Sequence, residues 1–339
     1  MNYSHILTQL IDRRDLAHTD MLDLMRQIMS GQLTSAQIAA ALVGLRVKGE
    51  SISEIAAAAE VMRELSTKVT VQDNGHLIDT CGTGGDGAQT FNISTASAIV
   101  AAAAGAKVAK HGGRSVSSKC GSADILEKLG VNVNLTPHQV AHCVENIGVG
   151  FMFAPNHHSA MKHAAPVRKE LGVRTLFNLL GPLTNPAGAQ NQVMGVFDRV
   201  LTGKLARVLQ QLGSKHVLVV HGADGMDEIS ISTTTFVAEL KDGVIREYSV
   251  TPEQFGIKPA ALNAIQVADA EEAKVMLLSV LDNKPGAARD IVLLNAGAAI
   301  YVAGMSETLE HGVKKATEII ASGAAKNKLQ QLIQVSNEI

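Results

Sequence analysis

Three kinds of residue are scarce in this chain, and each scarcity closes off a class of function. It has no tryptophan, three tyrosines and seven phenylalanines, so aromatics are 3% of its 339 residues. Few platforms remain on which a single-stranded nucleic acid could stack. Cysteine occurs only at Cys81, Cys120 and Cys143, an odd number without CxxC spacing, which indicates neither a disulfide framework nor a zinc cluster. Charge of one sign is lacking as well. Thirty Lys plus Arg against 32 Asp plus Glu leave a net charge of −2, not the basic excess of a duplex-binding protein. The longest nearly apolar run, Ala96 to Ala106, falls short of the roughly 20 residues a spanning helix needs. The opening stretch, Met1 to Asp15, has no charged start, apolar block and small-residue cleavage site of the signal-peptide kind. With 46% hydrophobic and 18% charged residues, charge-driven disorder is excluded. A soluble, cytoplasmic globular protein is expected, with no nucleic-acid or membrane partner.

What the chain does have is glycine, 30 of them, and a change of rhythm near His76. Before it the pattern is helical. Met21, Met25 and Ile28 recur at helical spacing behind a Thr19/Asp20 cap. Thr34 and Gln37 form a capping box ahead of Ile38, Leu42 and Leu45, with Gly49 as a stop. Ser51 and Glu54 repeat the box ahead of Ile55, Ala58, Met62 and Leu65. After His76, short apolar runs (Leu77-Ile78, Val108-Ala109, Val131 to Leu135, Gly150 to Phe153, Val193 to Phe197, Val217 to Val220) alternate with helical segments. That alternation predicts parallel strands with crossover helices. Thr136, Pro137 and Gln139 open one helix, Asp242-Gly243 marks a hairpin, and the chain from Ala270 on reads as mostly helical. The expected fold class is α/β, a small all-helical domain plus a larger α/β domain with a mostly parallel central sheet flanked by helices. The boundaries fall at 1–73 and 74–339. A partly helical excursion over 164–189, punctuated by Pro166, Gly181-Pro182 and Asn185-Pro186, is expected to pack back on the helical domain.

The chemistry concentrates in loops. Asp79-Thr80-Cys81-Gly82-Thr83-Gly84-Gly85-Asp86-Gly87 follows a strand and precedes a helix. Gly82, Gly84 and Gly87 fit G-x-G-x-x-G, but the acidic residue a dinucleotide site needs about 20 positions on is missing. No Gly-Lys-Ser/Thr closes a Walker A loop either. The loop reads as a phosphate or pyrophosphate cradle, or as a tight turn with no ligand. Asn92-Ile93-Ser94-Thr95 opens the next helix, where free N–H groups and hydroxyls can hold an anion; a plain N-cap is the simpler alternative. Lys110, Arg114 and Lys119 bring three cations into the Lys110 to Lys119 loop with three serines, close to Gly121-Ser122-Ala123-Asp124. It is either an anion-binding loop at the carboxyl edge of the sheet or a solvated basic turn. Asp227-Glu228 could supply oxygen ligands to Mg²⁺ or simply be solvated. His157, His158 and His163 do not make a metal cluster, because adjacent histidines on a helix point different ways. Cys81 has no base beside it and is read as a small residue, so no covalent nucleophile is expected.

These segments, in this order and with Arg174-Thr175-Leu176-Phe177-Asn178-Leu179-Leu180-Gly181-Pro182-Leu183-Thr184-Asn185-Pro186, closely resemble the anthranilate phosphoribosyltransferase family. The resemblance covers essentially the whole chain. It implies transfer of phosphoribose from 5-phosphoribosyl 1-pyrophosphate to the amine of anthranilate in tryptophan biosynthesis, with magnesium and a homodimer formed through the helical domain. Carried over by position, Gly82, Gly85, Asp86, Thr90, Asn92, Ile93, Ser94 and Thr95 would hold the donor. Lys110, His111, Gly112, Gly113, Arg114, Ser115, Val116, Ser117, Ser118 and Ser122 would wrap its phosphates and ribose. Ser94, Asp227 and Glu228 would serve magnesium, while Gly82, Gly113 and Arg168 would face anthranilate, with His158 near that pocket. Two positions depart from the pattern: Gly113 stands where similar proteins usually have asparagine, and Ser159 where they have proline. Two other expectations compete, a pyrimidine nucleoside phosphorylase-like enzyme and a non-catalytic nucleic-acid-binding relative of the fold. Magnesium dependence would separate the first, and a salt-dependent shift on DNA the second.

Overall fold

The structure, a computed structural model, describes residues 2–72, 76–114 and 120–339. Four helices come first: α1 (Tyr3–Ile11), α2 (His18–Met29), α3 (Ser35–Lys48) and α4 (Ile52–Glu64). The two capping boxes form as the sequence predicts. The Thr34 hydroxyl accepts the Gln37 N–H, Ser51 accepts that of Glu54, and each long side chain bonds back to its cap. Gly49, at φ 84°, ends α3. Two expectations need correction. α1 is a helix beyond the three expected, and α2 starts one residue ahead of the proposed cap. Its N-cap is Ala17, which makes no side-chain cap bond. Asp20 instead lies in the first turn, where its charge suits the helix dipole.

Seven strands form one sheet among the described residues: β1 (Leu77–Asp79), β2 (Lys107–Gly112), β3 (Val149–Phe153), β4 (Asn191–Gly195), β5 (His216–Gly222), β6 (Thr235–Lys241) and β7 (Val244–Val250), in the order β3-β2-β1-β4-β5-β6-β7. The first five in chain order run parallel, and β6 and β7 add antiparallel. Asp242 and Gly243 both take positive φ, 51° and 74°, the conformation a tight hairpin asks of such a pair. The run Val131 to Leu135 is not a strand. Its N–H groups find partners outside any sheet: Val131 N–H donates to Leu126 O, Asn132 N–H to Ser336 Oγ and Asn134 N–H to Asn132 Oδ1. Alternate side chains are nevertheless buried, which is why the pattern mimics a strand. β4 lies two residues earlier than the apolar run suggests.

One face of the sheet packs against the four helices, the segment from Ala164 to Leu183 and the helix Leu201–Gln211. The other is covered by α5 (Ile93–Ala103) and by the helices from Ala270 onward. The chain builds outward from β1 through β2 to β3, then returns to the other side of β1 as β4. Such a reversal opens a crevice at the carboxyl ends of the two central strands, where open α/β sheets bind ligands.

Candidate active site

The Gly-rich loop leaves β1 at that crevice. Gly84, Gly85 and Gly87 have φ of 64°, 77° and 73°, values that a side chain would make costly. The loop is fastened from several directions. Thr83 N–H donates to Gly195 O at 2.9 Å, Phe197 N–H to Thr83 Oγ1 at 3.2 Å, and Gly84 N–H to Asp227 Oδ2 at 2.8 Å. Arg174, whose guanidinium lies 4.0 Å from the centre of the Phe197 ring, donates to Gly85 O. Thr90 bridges to Gln266 just before α5.

Asn92 stands at the N-cap of α5 but does not cap it. Its Nδ2 donates to Cys120 O at 3.0 Å. Its Oδ1, with Thr95 Oγ1 and Ser97 Oγ, is buried without a partner among the described residues. Lys110 is enclosed under the loop, with Nζ donating to Thr80 O at 2.6 Å and 3.2 Å from Ser94 Oγ. His111 is buried beside His158, their ring centres 5.1 Å apart. Burial and the neighbouring histidines hold His111 down at about 3, and burial above all holds His158 at about 4, so both are neutral. Arg114 is paired with Asp124 and Glu127 on α6 (Ser122–Lys128). Gly112 packs near Ser122, whereas a Cβ at Gly113 would meet nothing within 4 Å. Ser115, Val116, Ser117, Ser118 and Lys119 lie outside the described residues.

The acidic pair closes the crevice. β4 abuts it so tightly that a Cβ on Gly195 would sit 1.5 Å from Asp227 O. Asp227 N–H points at Asp86 Oδ2. Burial and the adjacent Asp86 charge push the Asp227 carboxyl up to about 7; burial and Asp227 push Glu228 up as well. A small cavity bounded by Thr80, Ser94, Ser97, Asp227, Glu228 and Asn295 lies between them. The carboxylates raise one another's pKa even though Lys110 offsets part of the effect on Glu228, and their hard oxygens suit a divalent cation of the magnesium type.

Arg168, on the helix Ala165–Leu171, is half-buried with its guanidinium 5.3 Å from the Phe177 ring centre. Burial lowers its pKa, and among the described residues no carboxylate pairs with it. That leaves a cation able to take an incoming anion. Burial also drives the Cys81 thiol far up, away from the thiolate form.

Residues 74–326 match the glycosyl transferase family, a/b domain, and residues 4–66 the glycosyl transferase family, helical bundle domain. The anthranilate phosphoribosyltransferase of Nitrosomonas europaea is 60% identical over 339 residues, 100% of this chain and 99% of that protein. That of Thiobacillus denitrificans is 64% identical over 332 residues, 98% and 97% of the two chains. The chain belongs to the anthranilate phosphoribosyltransferase family. Its fold agrees with the crystal structure of the Thermus thermophilus anthranilate phosphoribosyltransferase at a TM-score of 0.92 and 42% identity, covering 98% of this chain and 99% of that one. The Saccharomyces cerevisiae enzyme, solved in complex with PRPP and Mg, gives 0.90 at 28% identity, covering 99% and 98%. The relatives favour the anthranilate phosphoribosyltransferase reading over the nucleoside phosphorylase and nucleic-acid alternatives.

Four members of this site receive no role from a residue-level reading of the sequence. Asp79 belongs to the glycine motif, yet its work is internal: Oδ1 accepts His111 N–H at 3.1 Å and Oδ2 accepts Asn185 Nδ2 at 2.7 Å. Burial lifts it to about 6 although Lys110 pulls it down. Asn185 and Arg174 sit in the Arg174 to Pro186 run without a role attached. Asn295 carries one signal, a lone amide in an apolar helix.

Proposed function

We infer that this chain transfers the phosphoribosyl group from 5-phosphoribosyl 1-pyrophosphate to the amine of anthranilate, giving N-(5-phosphoribosyl)anthranilate and pyrophosphate. The observation that carries the reading is the fastening of the glycine loop to an acidic pair at the point where the strand order reverses. In this reading the N–H groups of Gly82 and Gly85 and the side chains of Asp86, Thr90, Asn92, Ser94 and Thr95 hold the donor, with Ile93 completing the turn. Asn92, Thr95 and their neighbour Ser97 keep buried polar atoms without a partner among the described residues, and such atoms ordinarily find one. Lys110 supports Thr80 and Ser94 from behind, while His111 to Ser118 and Ser122 surround the phosphates and ribose. Arg114 joins them by exchanging Asp124 and Glu127 for phosphate, to which a guanidinium binds bidentately.

Ser94, Asp227 and Glu228 would hold magnesium, and their oxygen donors around one cavity fit it, with more negative charge from Asp86, Asp227 and Glu228 than Lys110 offsets. When bound, magnesium would neutralise charge on the departing pyrophosphate. The aromatic amine of anthranilate is uncharged at neutral pH and attacks without a strong base. The protein's share is therefore to orient it and to keep water from the donor. Arg168 would take the anthranilate carboxylate, with Gly82 and Gly113 lining the approach and His158 behind it. The helical unit (1–73) would close over the larger one (74–339) across the 164–189 segment. A cytoplasmic homodimer through the helical unit completes the proposal. Among the described residues no helix is long and apolar enough to cross a membrane.

Release of pyrophosphate that requires both anthranilate and magnesium is the expected result. Asp227→Asn and Glu228→Gln should sharply lower turnover in folded protein. No pyrophosphate release with both substrates present would overturn the reaction. Full activity of both variants at ordinary magnesium would overturn the metal assignment.

A further inference from the structure

Asn295 lies mid-way along the helix Ala287–Val302 and is 3% exposed. Its side-chain amide grips both backbone groups of Ile229: the Ile229 N–H donates to Oδ1 at 2.9 Å, and Nδ2 donates to Ile229 O at 2.9 Å. The second hydrogen of Nδ2 goes to Ile291 O at 3.0 Å. The amide thus plays the part of a strand neighbour for a residue in the loop between β5 and β6, directly after Glu228.

Both sides of this grip are rigid. The helix is locked against Leu309–Ala321 through two glycines; a Cβ on Gly297 would lie 2.6 Å from Val313 Cα, and one on Gly312 2.2 Å from Gly297 O. Across the segment, Asp227 O is pressed against Gly195. Asp227 and Glu228 are therefore held between the end of β4 and the Asn295 amide. A buried amide in an apolar helix costs free energy unless it is paired, and here it is paired with both backbone groups of Ile229, which an apolar side chain would leave unsatisfied. The polar choice gives direction to the loop.

We propose that Asn295 is a positioning residue that aims the Asp227 and Glu228 carboxylates into their common cavity, and so sets the affinity for the divalent cation. It acts through the Ile229 backbone and touches no substrate. The proposal rests on the metal role given above to the acidic pair.

The test measures Mn²⁺ binding by electron paramagnetic resonance, without substrates, for the wild type, Asn295→Ala, Asn295→Ser and Glu228→Gln. The magnesium activation constant and both substrate constants at saturating metal are measured alongside. Displacing a residue that orients metal ligands costs about 10–100-fold in metal affinity. Both Asn295 variants should bind Mn²⁺ and respond to magnesium about tenfold more weakly, with the anthranilate constant unchanged at saturating metal. Wild-type metal constants in either folded Asn295 variant, alongside weakened binding in Glu228→Gln, would overturn the positioning role and leave the metal site standing. Unchanged Mn²⁺ binding in Glu228→Gln would remove the metal reading and this proposal with it. If Asn295→Ala does not fold, Asn295→Ser decides, because it adds no charge to the cavity, keeps a small polar group and loses the paired grip on Ile229. A lower melting temperature with native metal constants counts against the proposal.

Discussion

Gly113 is a single missing side chain in a place with room for one. A Cβ there meets nothing within 4 Å, and the backbone is outside the left-handed region. The family resemblance implies an asparagine at this point of the motif, whose amide can both give and accept a hydrogen bond. A neutral hydrogen bond is worth about 0.5–1.5 kcal/mol net, roughly two- to tenfold in affinity. Gly113→Asn should therefore lower the anthranilate constant several-fold and leave the donor constant nearly unchanged. Kinetics with anthranilate varied at saturating donor check this, and a constant that stays put or rises would show a pocket rebuilt without that contact. Arg168 poses the opposite test. Its charge is half-buried against Phe177 and, among the described residues, has no carboxylate partner. A guanidinium matches a planar carboxylate in a way an ammonium does not. Arg168→Ala and Arg168→Lys should both raise the anthranilate constant far more than the donor constant. Equal changes in the two constants would mean that Arg168 supports the closed geometry instead.

Elements whose signals are local could be read from the sequence; elements set by distant partners could not. The boxes at Thr34, Ser51 and Thr136 lie within four residues of what they cap, and all three form. The Asp242-Gly243 turn is as local. Thr19 and Asp20 look like a cap but fall inside the first turn, and Val131 to Leu135 alternates like a strand while Ser336, some 200 residues on, takes one of its N–H groups. The site divides in the same way. The glycine loop, the basic loop and the acidic pair announce themselves by composition, whereas Asp79, Asn185 and Asn295 matter through contacts made across more than 60 residues. Asn185 shows the consequence for the connection between elements. Its Nδ2 donates to Asp79 Oδ2 at 2.7 Å and to Ala109 O at 2.9 Å, and its Oδ1 accepts Ala187 N–H. One amide thus ties the end of β1 and the middle of β2 to the segment that packs on the helices. Asn185→Ala leaves a buried carboxylate oxygen and a buried carbonyl without that donor, at about 1–3 kcal/mol for each unsatisfied group. Urea titration should show the loss as a lower midpoint, and an unchanged midpoint would mean that water or a neighbour replaces the amide.

For the molecule as a whole, proton and metal binding should be linked through the acidic pair. Asp227 is held up at about 7 by burial and Asp86, and Glu228 is raised with it. A carboxyl whose pKa is higher folded than unfolded favours the folded state at low pH, and that advantage is lost as the pH rises through the folded value. Asp79, at about 6, behaves alike. The buried histidines run the other way. His111 at about 3 and His158 at about 4 are neutral when folded, so their contribution is present above the ordinary histidine range and fades as the pH falls below about 6.5. The stability of metal-free protein mixes these opposing slopes and is a poor readout alone. The increment due to magnesium is cleaner, because subtraction removes the histidines and Asp79. A cation requires the acidic pair deprotonated, so below about pH 7 its affinity should rise roughly tenfold per pH unit for each proton displaced. Bound ligand stabilises by RT ln(1 + [L]/Kd). Calorimetric melts at fixed magnesium, less those in chelator, should give a shift that is small well below pH 7 and grows as the pH rises through the Asp227 value of about 7. Glu228→Gln should flatten that curve. A magnesium increment of equal size at every pH would show that the cation displaces no proton from Asp227 or Glu228, and would place it elsewhere on the molecule.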